Sequence, residues 1–120
     1  MKFYSPLLLV FVLIAACAQN TSKPISEVSQ EELKNVVLVD VRTPEEYAEG
    51  HLDNSLNINW HDTDFAEQFD AISKDETIFL YCKMGGRSAK AQEKLISLGF
   101  ENVVNLEGGY DAVKAAKTRE

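Results

Sequence analysis

Apolar segments alternate with amphipathic ones along most of the chain. The strongest apolar run, residues 36–41, is rich in β-branched side chains and is apolar on both faces. Such a run is typical of a strand buried on both sides of a parallel sheet. Shorter strands are predicted at 25–28, 55–58, 77–81 and 103–106.

Helix signals fill the intervals between these strands. Helix N-termini are indicated by two capping boxes, Ser29 with Glu32 and Thr43 with Glu46, the second of them with Pro44 in the first helical position. Helical spacing of apolar residues predicts further helices over 65–72, 88–98 and 110–117. Alternating strands and helices predict an α/β fold: a parallel sheet with helices on both faces.

The N-terminus has a different pattern. A positive start at Lys2 precedes an unbroken apolar run of ten residues, 7–16. This order is typical of a secretory signal peptide. A membrane-spanning anchor is the alternative, but residues 3–18 would form a helix of only about 24 Å. The hydrocarbon layer is about 30 Å thick, so the span would be poor.

The boundary of this apolar run is more specific. Ile14-Ala15-Ala16-Cys17 resembles the lipobox of bacterial lipoproteins, in which the cysteine becomes the lipidated N-terminus after cleavage. The resemblance implies a signal peptide at 1–16, a lipidated polar tether at 17–24, a domain at 25–117 and a tail at 118–120. It also implies an exported protein, attached through Cys17 to the periplasmic face of a bacterial membrane.

The charge balance restricts the partners. The chain has 12 basic and 19 acidic residues, and cleavage before Cys17 would remove one base and leave a net charge of −8. An acidic chain is a poor ligand for nucleic acid, because backbone binding needs a basic face. Membrane attachment would therefore depend on the lipid rather than on a polybasic contact.

Cysteine usage directs attention to Cys82. If Cys17 carries lipid, Cys82 is the only thiol left, and a lone thiol is a liability in an oxidising compartment. It is either kept for chemistry or is a small buried apolar residue, as most free cysteines are. With His51 and His61 it shows no spacing of metal ligands, so we expect neither a metal nor a cofactor.

The loop at 81–88 combines features that stabilise an anion on sulfur. Cys82 follows a predicted strand and precedes a predicted helix, with Gly85 and Gly86 between them. Lowering a thiol pKa from about 8.5 to below neutrality takes roughly 2–3 kcal/mol. A helix N-terminus supplies about 0.3–1 kcal/mol, so a ring of backbone amides is also needed. Positive φ at the glycines would close that ring.

Three separated segments of the chain resemble the single-domain rhodanese-like sulfurtransferases: VDVRTPEEY at 39–47 with GHL at 50–52, YCKMGGRS at 81–88, and LEGGY at 106–110. The resemblance implies a five-stranded parallel sheet and sulfur transfer through a persulfide on Cys82. It implies that the substrate is bound by Lys83, Met84, Gly85, Gly86, Arg87, Ser88 and Arg42. Two parts of the chain depart from the family pattern: the stretch at 53–55, and Val113 where an aromatic residue is common.

Two functions agree with this pattern. The first is an enzyme that takes sulfur from a small anionic donor such as thiosulfate and passes it to a thiol or protein thiol; Lys83 and Arg87 would attract the donor. The second is a lipid-anchored sulfur carrier or binding module with little turnover. A phosphatase of the related dual-specificity type is less favoured, because only four residues separate Cys82 from Arg87 and phosphate needs five.

Overall fold

The computed structural model describes residues 20–118, and within them a single sheet lies between helices. The strands are β1 (Thr21–Pro24), β2 (Val37–Asp40), β3 (Leu56–Asn57), β4 (Thr77–Tyr81) and β5 (Asn102–Glu107); the helices are α1 (Gln30–Leu33), α2 (Pro44–Glu49), α3 (Gly86–Ser97) and α4 (Gly109–Lys117). The strand order is β1-β5-β4-β2-β3, and every neighbouring pair is parallel. The predicted α/β fold with a five-stranded parallel sheet is confirmed.

Alternation along β4 divides the interior into two cores. Ile78 and Leu80 face the core that includes Leu95 of α3, whereas Phe79 and Tyr81 face the core against α4. Full burial of a side chain such as Leu80 contributes about 1.5–3 kcal/mol. Because β4 is the central strand and is covered on both faces, its carboxyl end is fixed in position.

The N-terminal edge of the sheet differs from the prediction. The strand expected at 25–28 is instead β1, four residues earlier, and residues 25–27 form a 3-10 turn. Residues 21–24 therefore belong to the sheet rather than to a polar tether. β1 is an edge strand held by backbone pairing with β5 and by Gln92 of α3, whose side-chain amide donates to the carbonyls of Thr21 (2.6 Å) and Val103 (2.9 Å). Its sequence carries no apolar pattern because its side chains are mostly exposed.

The helix predicted over 65–72 is also wrong. This segment consists of turns and a 3-10 turn at Glu67–Phe69. Phe65 and Phe69 are nevertheless buried, with ring centroids 5.0 Å apart. Their spacing in the sequence therefore predicted correctly that both side chains lie in the core. Polar side chains just before them bond to backbone, as Asn59 does in accepting from the His61 amide (3.1 Å). Such local bonds compete with helix formation.

The predicted signal peptide and Cys17 lie outside the described residues. Within residues 20–118, none of the helices is long and apolar enough to cross a membrane.

Candidate active site

Cys82 is the first residue after β4, at the centre of the carboxyl edge of the sheet. It is a free thiol and only 1% exposed. In an open parallel sheet, ligands bind beyond the carboxyl ends of the strands. A reagent that reacts with this sulfur must therefore reach it through the loop that joins β4 to α3.

That loop folds back over the sulfur. The Gly85 amide donates to Sγ of Cys82 at 3.0 Å, and the Ser88 hydroxyl lies 3.4 Å from the same sulfur and 3.1 Å from the Gly85 carbonyl. Gly85 has φ 123°, a conformation that favours glycine. Gly86 has no positive φ and is the first residue of α3, so the prediction of an unusual backbone holds for Gly85 alone.

Hydrogen bonds lower the pKa of the Cys82 thiol. Burial by itself raises that pKa, because it disfavours the charged sulfur. The Ser88 hydroxyl and the amides of Ser88, Gly85 and Met84 lower it, and together they outweigh burial. The thiolate is the nucleophilic form of cysteine, so the loop favours the reactive state.

The N-terminus of α4 holds the same loop from the other side. The Tyr110 amide donates to the Cys82 carbonyl at 2.8 Å, and the Asp111 amide donates to the Lys83 carbonyl at 3.0 Å. Gly109, with φ 60°, passes so close that a Cβ there would lie 2.5 Å from both carbonyl oxygens. Before the fold is known, the signal for this contact is limited to two consecutive glycines, Gly108 and Gly109, next to the helix predicted over 110–117.

Each of the two cations in the loop has a carboxylate partner. Lys83 Nζ lies 3.0 Å from Asp111 Oδ2, and Arg87 makes two bonds to Glu46, at 2.6 and 2.9 Å. The hydrogen bonds from Arg87 lower the pKa of Glu46 to about 2, although burial opposes them. The expected positive field is therefore largely neutralised. The sequence pattern predicted Glu46 only as part of the cap of α2, which it also forms.

Comparisons with known proteins give the family. Residues 27–116 match the model of the rhodanese-like domain, three quarters of the chain. The chain belongs to the rhodanese-like domain family. It is 36% identical to thiosulfate sulfurtransferase 16 of Arabidopsis thaliana, over 62% of this chain and 70% of that protein. Its fold is similar to that of SSP1007 from Staphylococcus saprophyticus: TM-score 0.67, 33% identity, 77% of this chain and 91% of that one.

Some relatives are much longer than this rhodanese-like domain. The adenylyltransferase and sulfurtransferase UBA4 of Candida albicans is 35% identical over 79% of this chain, but the chain spans only a quarter of its length. Together, the similarities to named sulfurtransferases support sulfur transfer as the general class of chemistry.

Arg42 of the rhodanese-like domain lies in the scaffold beside the loop. Its Nε and one Nη bond to Asp40, the same Nη bonds to the Gly50 carbonyl at 2.7 Å, and its guanidinium lies 4.4 Å from the Tyr110 ring centre. Arg42 is 4% exposed. The structure thus shows an ion pair between Arg42 and Asp40, and contact between Arg42 and a substrate stays a prediction.

His51 and Tyr81 make their contacts away from the sulfur. His51 stacks on Tyr47 (centroids 3.6 Å apart), and the Tyr81 hydroxyl accepts from the Leu52 amide within the α4 core. Among residues 20–118, no group of three or more potential metal ligands is found.

Met84 is the exposed side chain of the loop. It follows the cysteine by two residues and is 70% exposed, the most exposed of the large apolar side chains described.

Proposed function

We propose that this rhodanese-like domain is a sulfurtransferase that moves sulfane sulfur from a small anionic donor, such as thiosulfate, to a thiol acceptor through a persulfide on Cys82. The observation that carries the proposal is the 3.0 Å bond from the Gly85 amide to Sγ, on a free thiol inside a closed loop. A bond of this kind stabilises the thiolate before the donor arrives.

The chemistry divides into two displacements at sulfur. The Cys82 thiolate attacks the outer sulfur of thiosulfate; a new S–S bond forms as the old one breaks, and sulfite leaves with the electron pair. The acceptor thiolate then attacks the outer sulfur of the persulfide, and the Cys82 thiolate departs. One covalent intermediate thus links two half-reactions. No general base is required, because the loop already favours the thiolate.

The decisive test is the intact mass of the protein after exposure to thiosulfate. Cys17→Ser provides a background in which Cys82 is the sole cysteine. We expect a mass increase of one sulfur atom, reversed by a reducing thiol and absent from the Cys17→Ser/Cys82→Ser variant. No sulfur uptake from thiosulfate or from other sulfane donors would contradict the proposal.

A sulfur carrier with little turnover is the second candidate. Met84 favours it, because a large apolar side chain exposed beside a buried thiol suits contact with a protein better than contact with a small ion. Steady-state turnover separates the two. Sustained sulfite release with a small thiol acceptor indicates the enzyme, whereas a persulfide that is stable to small thiols and is passed only to a protein thiol indicates the carrier.

We also propose that the protein is exported and attached through a lipid on Cys17 to the periplasmic face of a bacterial membrane. The support is the apolar run at 7–16 that ends in Ile14-Ala15-Ala16-Cys17. Several acyl chains on one residue would anchor firmly, whereas a single chain holds only marginally. The test is fractionation of cells that express the Cys17→Ser variant. Membrane association equal to that of the parent would contradict the lipid anchor.

A further inference from the structure

Two ion pairs near Cys82 each join a loop cation to a carboxylate from another element; one of these carboxylates, Asp111, also lies 3.8 Å from Lys114 of its own helix. Lys83, next to the cysteine, is paired with Asp111 in the first turn of α4. Arg87, in the first turn of α3, is paired with Glu46 in the first turn of α2. These contacts place two carboxylates at the rim of the sulfur site.

The Arg87 pair lies within electrostatic reach of the sulfur. Hydrogen bonds to Glu46 are the main cause of the raised pKa of Arg87; burial opposes them, and the negative charge of Cys82 adds to them. The side chains of Arg87 and Glu46 are 23% and 27% exposed, so water only partly screens them. A donor that approaches Cys82 therefore meets Glu46 as well as Arg87. Asp111 lies beside the residue that follows the cysteine, since its amide bonds to the Lys83 carbonyl at 3.0 Å.

We propose that Glu46 and Asp111 are specificity-determining residues, which weaken the binding of doubly charged sulfur donors relative to singly charged ones. This inference rests on the proposed sulfurtransferase function. Each carboxylate repels a dianion about twice as strongly as a monoanion at the same place. Each carboxylate cancels much of the attraction that its neighbouring cation would exert on a donor, and the chain as a whole has a net charge of −7. The site accordingly suits a donor with one negative charge near the transferred sulfur.

Two donors test this inference with the same chemistry and different charge. Thiosulfate is a dianion and releases sulfite; methanethiosulfonate is a monoanion and releases methanesulfinate. In both, the Cys82 thiolate attacks the terminal sulfur, and the S–S bond to the oxidised sulfur breaks. The quantity measured is the ratio of kcat/KM for thiosulfate to kcat/KM for methanethiosulfonate.

The variants are Glu46→Gln and Asp111→Asn, each of which removes one charge with little change in shape. Glutamine still completes the capping box of α2. We expect each to raise the ratio by about two- to fivefold at low salt, the effect of one nearby unit charge at a partly exposed site. Added salt should reduce the gain. Glu93→Gln, an exposed charge further along α3, is the control and should leave the ratio within experimental error.

The outcomes separate this inference from the function on which it rests. A variant that is merely less well folded loses activity toward both donors equally, so its ratio does not change. If both donors load Cys82 but neither variant raises the ratio above that of Glu93→Gln, the inference is overturned and the sulfurtransferase remains. If neither donor loads Cys82, the sulfurtransferase proposal itself fails.

Discussion

The four α-helices found among residues 20–118 begin in two different ways. Helices α1 and α2 each carry a complete capping box, built on Ser29 and Thr43. Helices α3 and α4 have no side-chain cap hydrogen bond, and each begins after a glycine with positive φ, Gly85 or Gly108. The two helices without a side-chain cap are the ones whose N-terminal amides contact the Cys82 loop. The first two use their own side chains to satisfy their N-terminal amides.

The amides at the start of α3 and α4 are used for the site instead. Those of the α3 end point at the sulfur of Cys82, and those of α4 hold the carbonyls of Cys82 and Lys83. A side-chain cap contributes about 1 kcal/mol to stability. Leaving it out makes N–H donors available, which stabilise negative charge at a helix N-terminus. One uncapped helix thus sets the chemistry of the thiol, and the other sets its position.

The largest expected effect comes from breaking the α4 contact. Gly109→Ala places a Cβ against the carbonyls of Cys82 and Lys83 at a residue with φ 60°. We expect a loss of about 2–3 kcal/mol in the free energy of unfolding. Sulfur uptake, normalised to folded protein, should fall more than tenfold. Gly99→Ala is the matched control, since Gly99 follows α3 at the end far from Cys82, also has a positive φ (98°), and has nothing within 4 Å of its added Cβ. Uptake at the parental rate by Gly109→Ala would contradict a positioning role for α4.

The second-largest effect is expected from removing a contact between α3 and the sulfur of Cys82. Ser88→Ala removes the buried hydroxyl that lies 3.4 Å from Sγ and helps to lower the Cys82 pKa. Thiol reactivity is present above that pKa and is lost as the pH falls through it, so the variant should shift the profile to higher pH. At neutral pH the alkylation rate should fall about two- to tenfold, equivalent to one hydrogen bond.

Ser97→Ala is the control for that experiment, because its hydroxyl bonds to a carbonyl at the other end of α3. A pH profile of Ser88→Ala that coincides with the parental one would mean that the amides alone set the thiol pKa.

A smaller effect is expected at a helix that only builds the fold. Ser29→Ala removes the hydroxyl that accepts from the Glu32 amide at 3.2 Å. The free energy of unfolding should fall by about 1 kcal/mol, measured by chemical denaturation. The rate of sulfur uptake per folded molecule should not change. A slower rate would show that α1 also influences the site.

The smallest effect concerns acid stability. The folded-state pKa of Glu46 is lowered from 4.5 to about 2, mainly by Arg87, so the pair contributes stability above about pH 4.5. That contribution is lost as the pH falls toward 2. Between pH 4.5 and pH 2 the free energy of unfolding should therefore fall less in Glu46→Gln than in the parent. The difference should be less than about 1 kcal/mol, since both side chains are partly exposed. Glu93→Gln should leave the slope as it is; an equal flattening would exclude a specific role for the pair.

Local patterns in the sequence predicted local structure well. Both capping boxes are present, and the apolar runs at 36–41 and 77–81 contain β2 and β4. These features depend on neighbouring residues or on burial from both sides. β1 could not be predicted in the same way, because a polar edge strand is stabilised by backbone pairing with β5, which lies far away in sequence.

In the site, too, contacts between residues far apart in sequence could not be predicted. The cysteine at a strand end, Gly85 and Ser88 are close together in sequence, and the resemblance to a family drew attention to them. The partners of the two cations are not close: Glu46 lies 41 residues before Arg87, and Asp111 lies 28 residues after Lys83. Charge counting along the loop therefore predicted a positive site, and only the fold shows that its charges are paired.

The backbone bonds from α4 to the loop have a consequence for how the protein can evolve. Because main-chain atoms of Cys82 and Lys83 are held by main-chain amides, replacing the side chains at positions 83, 84 and 87 leaves those bonds in place. Those side chains lie on the loop that carries the cysteine but do not determine where the sulfur lies. Donor preference and acceptor preference can then diverge through single substitutions, while the reactive atom keeps its position.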